Sequence, residues 1–164
     1  MKPLEIAQKV GPAKIEAMVD ELNSGQFKRI LAAGDVSTRI PSSVLSLATR
    51  TRMWKDRLLE AIAGGNHGVA SALIYEWLLG RRRAMLSRYL DLLEVKHRNG
   101  ETDETFLKTI PEKNLREKAL ELAKEFAPQD VAIYVHFLDY HQHAAVFANE
   151  GAFVEMLAPV QSKL

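Results

Sequence analysis

His136, Asp139 and His143 have the residue types and the spacing of a reactive site. Steps of three and four place side chains on one face of a helix. A carboxylate there would stand within reach of two imidazoles, each able to carry a proton or bind a metal. The two histidines would lie two turns apart, roughly 10 Å along the axis, too far to bind one ion together. A metal site would need Asp139 with His143, or Asp139 with His136, completed by groups from other helices. His67, His97 and Glu76 are the suggestive candidates. The sequence does not hold the two Glu-x-x-His pairs that a di-iron bundle needs. The simpler alternative makes the three residues the wet strip of an otherwise buried helix.

A second constellation is basic: Arg50, Arg52, Lys55 and Arg57, followed by Arg81, Arg82, Arg83 and Arg88. Together these cations could neutralise several phosphates of a nucleic-acid backbone. Trp54 and Tyr89 lie among them and could stack on bases if exposed. The alternatives are a solvated helical face, or the binding surface of an acidic protein. No helix-turn-helix, RNA-recognition or zinc-finger signature accompanies the charges. Gly64, Gly65 and Gly68 do not follow a strand as a phosphate-cradling loop does. Ser42, Ser43 and Ser46 have no glycine-flanked nucleophile setting.

Charge is unevenly spread along the chain. From Gly25 to Gly100 there are 13 Lys or Arg against 6 Asp or Glu, a balance of +7; the remainder has 9 against 15, a balance of −6. Such a split implies either a surface for polyanions or acidic ends folded back over the basic middle.

The elements that must position these residues all read as helices. The central stretch His67 to Arg98 places Ile74, Trp77, Leu78, Met85, Tyr89, Leu92 and Val95 at helical spacing. Leu79, Leu86, Leu90 and Leu93 widen that stripe, as in a helix covered on more than one side. Arg82 falls inside the apolar arc if the helix is unbroken. That implies a kink at Gly80, a side chain reaching for water, or a guanidinium facing a partner or an anionic ligand. Upstream, short helices are predicted over Pro3 to Val10, from Pro12 to Leu22, and from Phe27 to Gly34. A longer one should open at Pro41-Ser42-Ser43 and run to Gly64-Gly65. Downstream, a short helix is expected after Thr102, then one from Pro111-Glu112. A long one runs from Pro128 to about Asn149, and a last turn covers Phe153 to Leu157.

With 164 residues, 47% apolar and 26% charged, the chain is expected to form one domain with a sizeable core. The expected fold is all-α: a single-domain helical bundle or short αα-superhelix of about eight helices, with short N-terminal helices over 1–34 and the main bundle over 41–158. The absence of cysteine excludes disulfides, thiol catalysis and thiolate-bound metals. No cofactor is expected. The first residues lack the continuous apolar run of a secretory signal, and Glu76 interrupts the longest apolar run, so no membrane span is expected. The expected compartment is the cytoplasm. Ser162-Lys163-Leu164 matches a peroxisomal import address, which would matter in a cell that has peroxisomes.

The functional expectation is a non-catalytic interaction module working in a homo-oligomer or larger assembly with a protein partner. The alternatives are a nucleic-acid backbone binder using the basic residues, and a metal or acid–base site at His136, Asp139 and His143.

Overall fold

The computed structural model describes residues 1–44 and 46–159, and Ser162-Lys163-Leu164 lies outside the described residues. Among them are nine helices and no strand, an all-α bundle. In chain order these are α1 (Pro3–Val10), α2 (Pro12–Asp20), α3 (Ser24–Ala33), α4 (Leu47–Ala63), α5 (His67–Arg81), α6 (Arg83–Leu92), α7 (Glu112–Glu125), α8 (Pro128–His141) and α9 (Gly151–Glu155).

Local chemistry sets most of the starts. Pro3, Pro12 and Pro128 each stand in the first turn of a helix, where proline lacks only an N–H that would be unpaired anyway. Asn23 and Gln26 close a reciprocal box at the head of α3: each backbone N–H donates to the other's side chain, at 2.9 and 3.0 Å. Asn66 caps α5 by accepting from Val69 N–H at 3.0 Å, and donates its own amide to the Gly34 carbonyl at 2.9 Å.

That last bond marks a close crossing of α3 and α5. Gly34 at the end of α3 meets Gly68 at the start of α5. A methyl on Gly34 would fall 2.3 Å from a Val69 methyl, and one on Gly68 would fall 2.6 Å from the Ala33 carbonyl oxygen. At the other end of the same pair, Gln26 reaches Gly80, so α3 and α5 run antiparallel with backbones in near contact. Helix α5 is the central element, touching α1, α2, α3, α4, α6 and α8. Val69, Leu73, Ile74 and Trp77 are fully buried along it. One apolar cluster joins residues of all nine helices, with Phe106, Leu107, Val146 and Phe147 from the connections.

Four helices end in the same way. After α3, α4, α6 and α8, the residues Asp35, Gly65, Glu94 and His143 take left-handed φ values of 55°, 85°, 57° and 52°. In each, the following N–H reaches back to a carbonyl five residues earlier, as in Ala144 to Asp139 at 2.8 Å and Val95 to Leu90 at 2.9 Å. This is the Schellman stop, in which the turned-back N–H groups satisfy otherwise unpaired carbonyls.

Four sequence expectations are corrected. The central helix does not reach Arg98: it breaks at Arg82 (φ −120°, ψ 17°) and stops after Leu92. The break is not at Gly80, which stays helical. The helix expected from Pro41 begins only at Leu47, with Ser46 as its cap. No helix follows Thr102, whose hydroxyl accepts from Glu104 N–H at 3.2 Å in a local turn. Helix α8 stops at His141, eight residues short of Asn149. No helix of the described residues is long and apolar enough to cross a membrane.

Candidate functional site

The early end of α8 separates the three residues expected on one face. His143 occupies the left-handed position of the helix stop and is exposed. Asp139, fully buried, stays on the helix, and its two oxygens are engaged by the chain that has turned back. Oδ1 accepts from Val146 N–H at 3.0 Å; Oδ2 accepts from Phe147 at 2.8 Å and Ala148 at 3.0 Å. Three backbone donors onto one carboxylate make a charge-assisted clamp. It seats Val146 and Phe147 in the core, where Phe147 meets the Phe153 ring edge-on at 4.9 Å.

His136 is fully buried one turn earlier, and its Nε2 lies 3.0 Å from the Phe153 carbonyl. A carbonyl can only accept, so Nε2 carries the proton and Nδ1 is bare. Nδ1 is sealed without a partner among the described residues. Burial lowers the His136 pKa below its ordinary value, against the opposing pull of the Phe153 carbonyl and Asp139. The group is a neutral imidazole binding α9 to α8. Among the described residues, no three His, Cys, Asp or Glu are placed to hold a metal ion.

The structure divides the basic constellation into two unlike halves. On α5 and α6 the cations meet carboxylates. Arg82 makes a two-pronged pair with Glu21, both bonds at 3.0 Å, and donates through Nε to Asp130 at 2.8 Å. Arg83 pairs with Glu101 at 3.0 Å, and Arg88 with Glu125 at 2.9 Å. Arg81 remains exposed and donates weakly to the Glu21 carbonyl at 3.4 Å. With Lys55 and Asp20 at 2.6 Å, five ion pairs join the basic middle to the acidic remainder of the chain.

On α4 the arginines meet carbonyls instead. Arg50 Nε donates to Val44 at 2.8 Å, and Arg57 Nη1 donates to Ser37 at 3.0 Å and Arg39 at 2.7 Å. Between them Trp54 Nε1 donates to Thr38 at 3.0 Å. Residues 50, 54 and 57 recur at helical spacing, so one stripe of α4 holds down the irregular segment before it. Carbonyl partners orient a guanidinium without cancelling its charge. Arg50, Arg52 and Arg57 have no carboxylate partner among the described residues. Neither aromatic residue among the cations is free to stack on bases. Trp54 is buried, and Tyr89 is sealed with its hydroxyl donating to the Leu115 carbonyl at 3.0 Å. Burial pushes the Tyr89 pKa well above its ordinary value.

A feature without a sequence signal is a cleft of about 290 Å³ between the α5–α6 junction, the end of α8 and the segment 100–106. Leu79, Leu86, Leu90, Phe106 and Phe137 supply apolar walls, and half-exposed Tyr75 stands at the mouth. Glu101 and Asp103 form its charged lip, His141 lines it on the α8 side, and among the described residues no Lys or Arg does. Its wall is fixed by two anchors. Gly100 sits so close to α6 that a methyl there would fall 2.8 Å from Leu86 Cβ. Leu107 N–H donates to the Gln142 side chain at 3.0 Å. These residues come from four separate segments, so no local spacing could have marked them.

Compared with protein-family models, curated proteins and solved structures, the chain matches none.

Proposed function

We propose that the protein is a non-catalytic helical interaction module that works within a homo-oligomer or larger assembly, with the cytoplasm as its compartment. The observation that carries this reading is the fate of the cluster at His136, Asp139 and His143. Asp139 gives both oxygens to three backbone N–H groups, and the His136 ring is sealed against α9. A general base must reach a substrate proton, and neither group can. Contact with a partner is supported by large apolar side chains left exposed on three helices: Leu47, Leu120 and Tyr140. Light scattering across a wide concentration range, with crosslinking to any co-purifying protein, tests the reading. The expected result is a mass above that of the 18.4 kDa chain, alone or with a partner. A monomer at high concentration that retains no partner would sink it.

A second reading, binding to nucleic-acid backbone, is supported by Arg50, Arg52 and Arg57. Arg50 and Arg57 are oriented by carbonyls and keep their charge. On this reading the α4 half of the basic set does the binding, and the paired Arg82, Arg83 and Arg88 contribute little. Fluorescence anisotropy with labelled single- and double-stranded nucleic acid should then show binding that weakens steeply with salt. Glu at positions 50, 52 and 57 together should abolish it, whereas Arg83→Gln should not. No binding at low salt removes this reading.

A further inference from the structure

We propose that the cleft between α5, α6, α8 and the 100–106 segment is a binding site for a small amphipathic cation, an ammonium head carried on an apolar or aromatic body. The inference is independent of the assembly reading, since it concerns one cleft of a single chain.

The first observation is the distribution of chemistry inside the cleft. Its floor is drawn from core side chains: Leu86, Leu90 and Phe106 are almost fully buried, as is Phe137 on the α8 side. Its lip carries Glu101 and Asp103, with the exposed His141 imidazole stacked on Phe137 at the α8 side. Glu101 shares one oxygen with Arg83 at 3.0 Å, whereas Asp103 pairs with no cation among the described residues. An apolar body can be withdrawn from water against the floor while a positive head stays at the lip, beside an unpaired carboxylate. A carboxylate ligand of the same shape would meet like charge there. Tyr75, half exposed, and Phe106 are among the lining residues, and aromatic rings attract cations. At about 290 Å³ the space stands at the small end of ligand sites.

The second observation is independent of the charges. Tyr134 lines the cleft and is 4% exposed. Among the described residues this hydroxyl has no protein partner, and the residue that carries it belongs to an otherwise apolar wall. Burial raises the Tyr134 pKa, so the group is a neutral phenol that can both donate and accept. Buried polar groups of this kind are satisfied by a ligand or by water, and a ligand bearing N–H donors fits it.

The test uses the intact protein and 4-phenylbutylammonium, with 4-phenylbutyrate as the isosteric anion. Backbone amide NMR should show saturable shifts for the amine at residues of the cleft, such as Leu79, Phe106 and Leu138. The dissociation constant should lie in the millimolar range expected of so small a ligand. The anion should bind at least about tenfold more weakly. Asp103→Lys, an exposed substitution, should weaken the amine by about tenfold with an unchanged unfolding midpoint. Tyr134→Phe should weaken it several-fold while keeping the cleft apolar. Equal binding of amine and anion would overturn the proposal, as would shifts centred elsewhere. So would amine affinity indifferent to Asp103→Lys, or no saturable binding well past the millimolar range.

Discussion

Arg82 donates through Nε to Asp130 at 2.8 Å, joining the break between α5 and α6 to the first turn of α8, 48 residues away. The same guanidinium forks onto Glu21 and lies 4.5 Å from the centroid of the Trp77 ring. Lys14 completes the group by bonding the other oxygen of Asp130. Two cations thus face two carboxylates, and the cluster carries no net charge for an external anion to meet. Burial opposes the Arg82 charge, and the bonds to Glu21 and Asp130 more than offset it, so its pKa stands above the ordinary arginine value. The helix breaks where this arginine turns aside to reach its partners.

Replacing Arg82 with Met should therefore destabilise the fold by about 2 kcal/mol. This is less than the roughly 3–5 kcal/mol of a sealed pair, because the side chain retains solvent contact. Lys14 still covers Asp130 in that variant. Urea unfolding of Arg82→Met, Asp130→Asn and the double variant measures the coupling, expected at about 1 kcal/mol. A coupling near zero would mean that the contact is held in place by its surroundings and adds nothing.

Asp139→Asn keeps the shape of the clamp but removes its charge and turns one acceptor into a donor facing backbone N–H groups. A loss of about 2–3 kcal/mol follows, from lost charge-assisted bonds and an unsatisfied buried donor. Hydrogen exchange should speed up first at Val146, Phe147 and Ala148. If those amides remain protected, the carboxylate is not what holds that segment.

Much of the fold is legible in the sequence because several helix starts are written locally, as at Pro3, Pro12 and Pro128; the Asn23–Gln26 box that opens α3 three residues before Phe27 goes unread. The stops are less legible. Glycine marks the left-handed position after α4, but Glu94 and His143 occupy it after α6 and α8. Both of those helices read too long from the sequence. The apolar residues beyond them, Val95 and Val146, keep helical spacing because they also enter the core. The sequence left open whether the basic set forms one surface or is matched by the acidic ends, because charge partners 18 to 61 residues distant leave no local trace. Trp54 and Tyr89 show the same limit: an aromatic residue among cations has the same spacing whether it faces water or the core.

Those two stops give a gain-of-stability prediction. A side chain at left-handed φ costs about 1 kcal/mol that glycine avoids, partly offset by the freedom glycine adds to the unfolded chain. Glu94→Gly and His143→Gly should each raise stability by about 0.5 kcal/mol in thermal or urea unfolding. His143→Gly also addresses chemistry, since a reactive or metal-binding histidine at this position could not be replaced without loss of that activity. A destabilised His143→Gly would show that the imidazole makes a contact of its own.

The crossing of α3 and α5 separates two glycines by what lies above them. Gly68→Ala puts a methyl 2.6 Å from the Ala33 carbonyl, which is backbone and cannot step aside. The helices must move apart, at a cost of about 2 kcal/mol or more. Gly80→Ala meets only the Gln26 amide at 2.8 Å, the far end of a flexible side chain. There the helix preference for alanine, worth up to about 1 kcal/mol, should cancel most of the strain. Paired unfolding curves decide it. Equal losses at both positions would mean that Gln26 is as fixed as the backbone.

His136 makes stability depend on pH in a definite direction. Burial lowers its pKa in the folded chain below the ordinary 6.5, so the unfolded chain takes up a proton more readily. The contribution of the neutral ring is fully present above pH 6.5. It is lost as pH falls from there toward the folded value, with a slope of up to about 1.4 kcal/mol per pH unit. Protonation would also place a second N–H at Nδ1, which has no acceptor. His136→Gln keeps a donor that can reach the Phe153 carbonyl and removes the titration. Its unfolding free energy should therefore lose this component of the fall below pH 6.5 while remaining near wild type at pH 8. Wild type and variant falling in parallel would assign the acid sensitivity to the carboxylates of the ion-pair network instead.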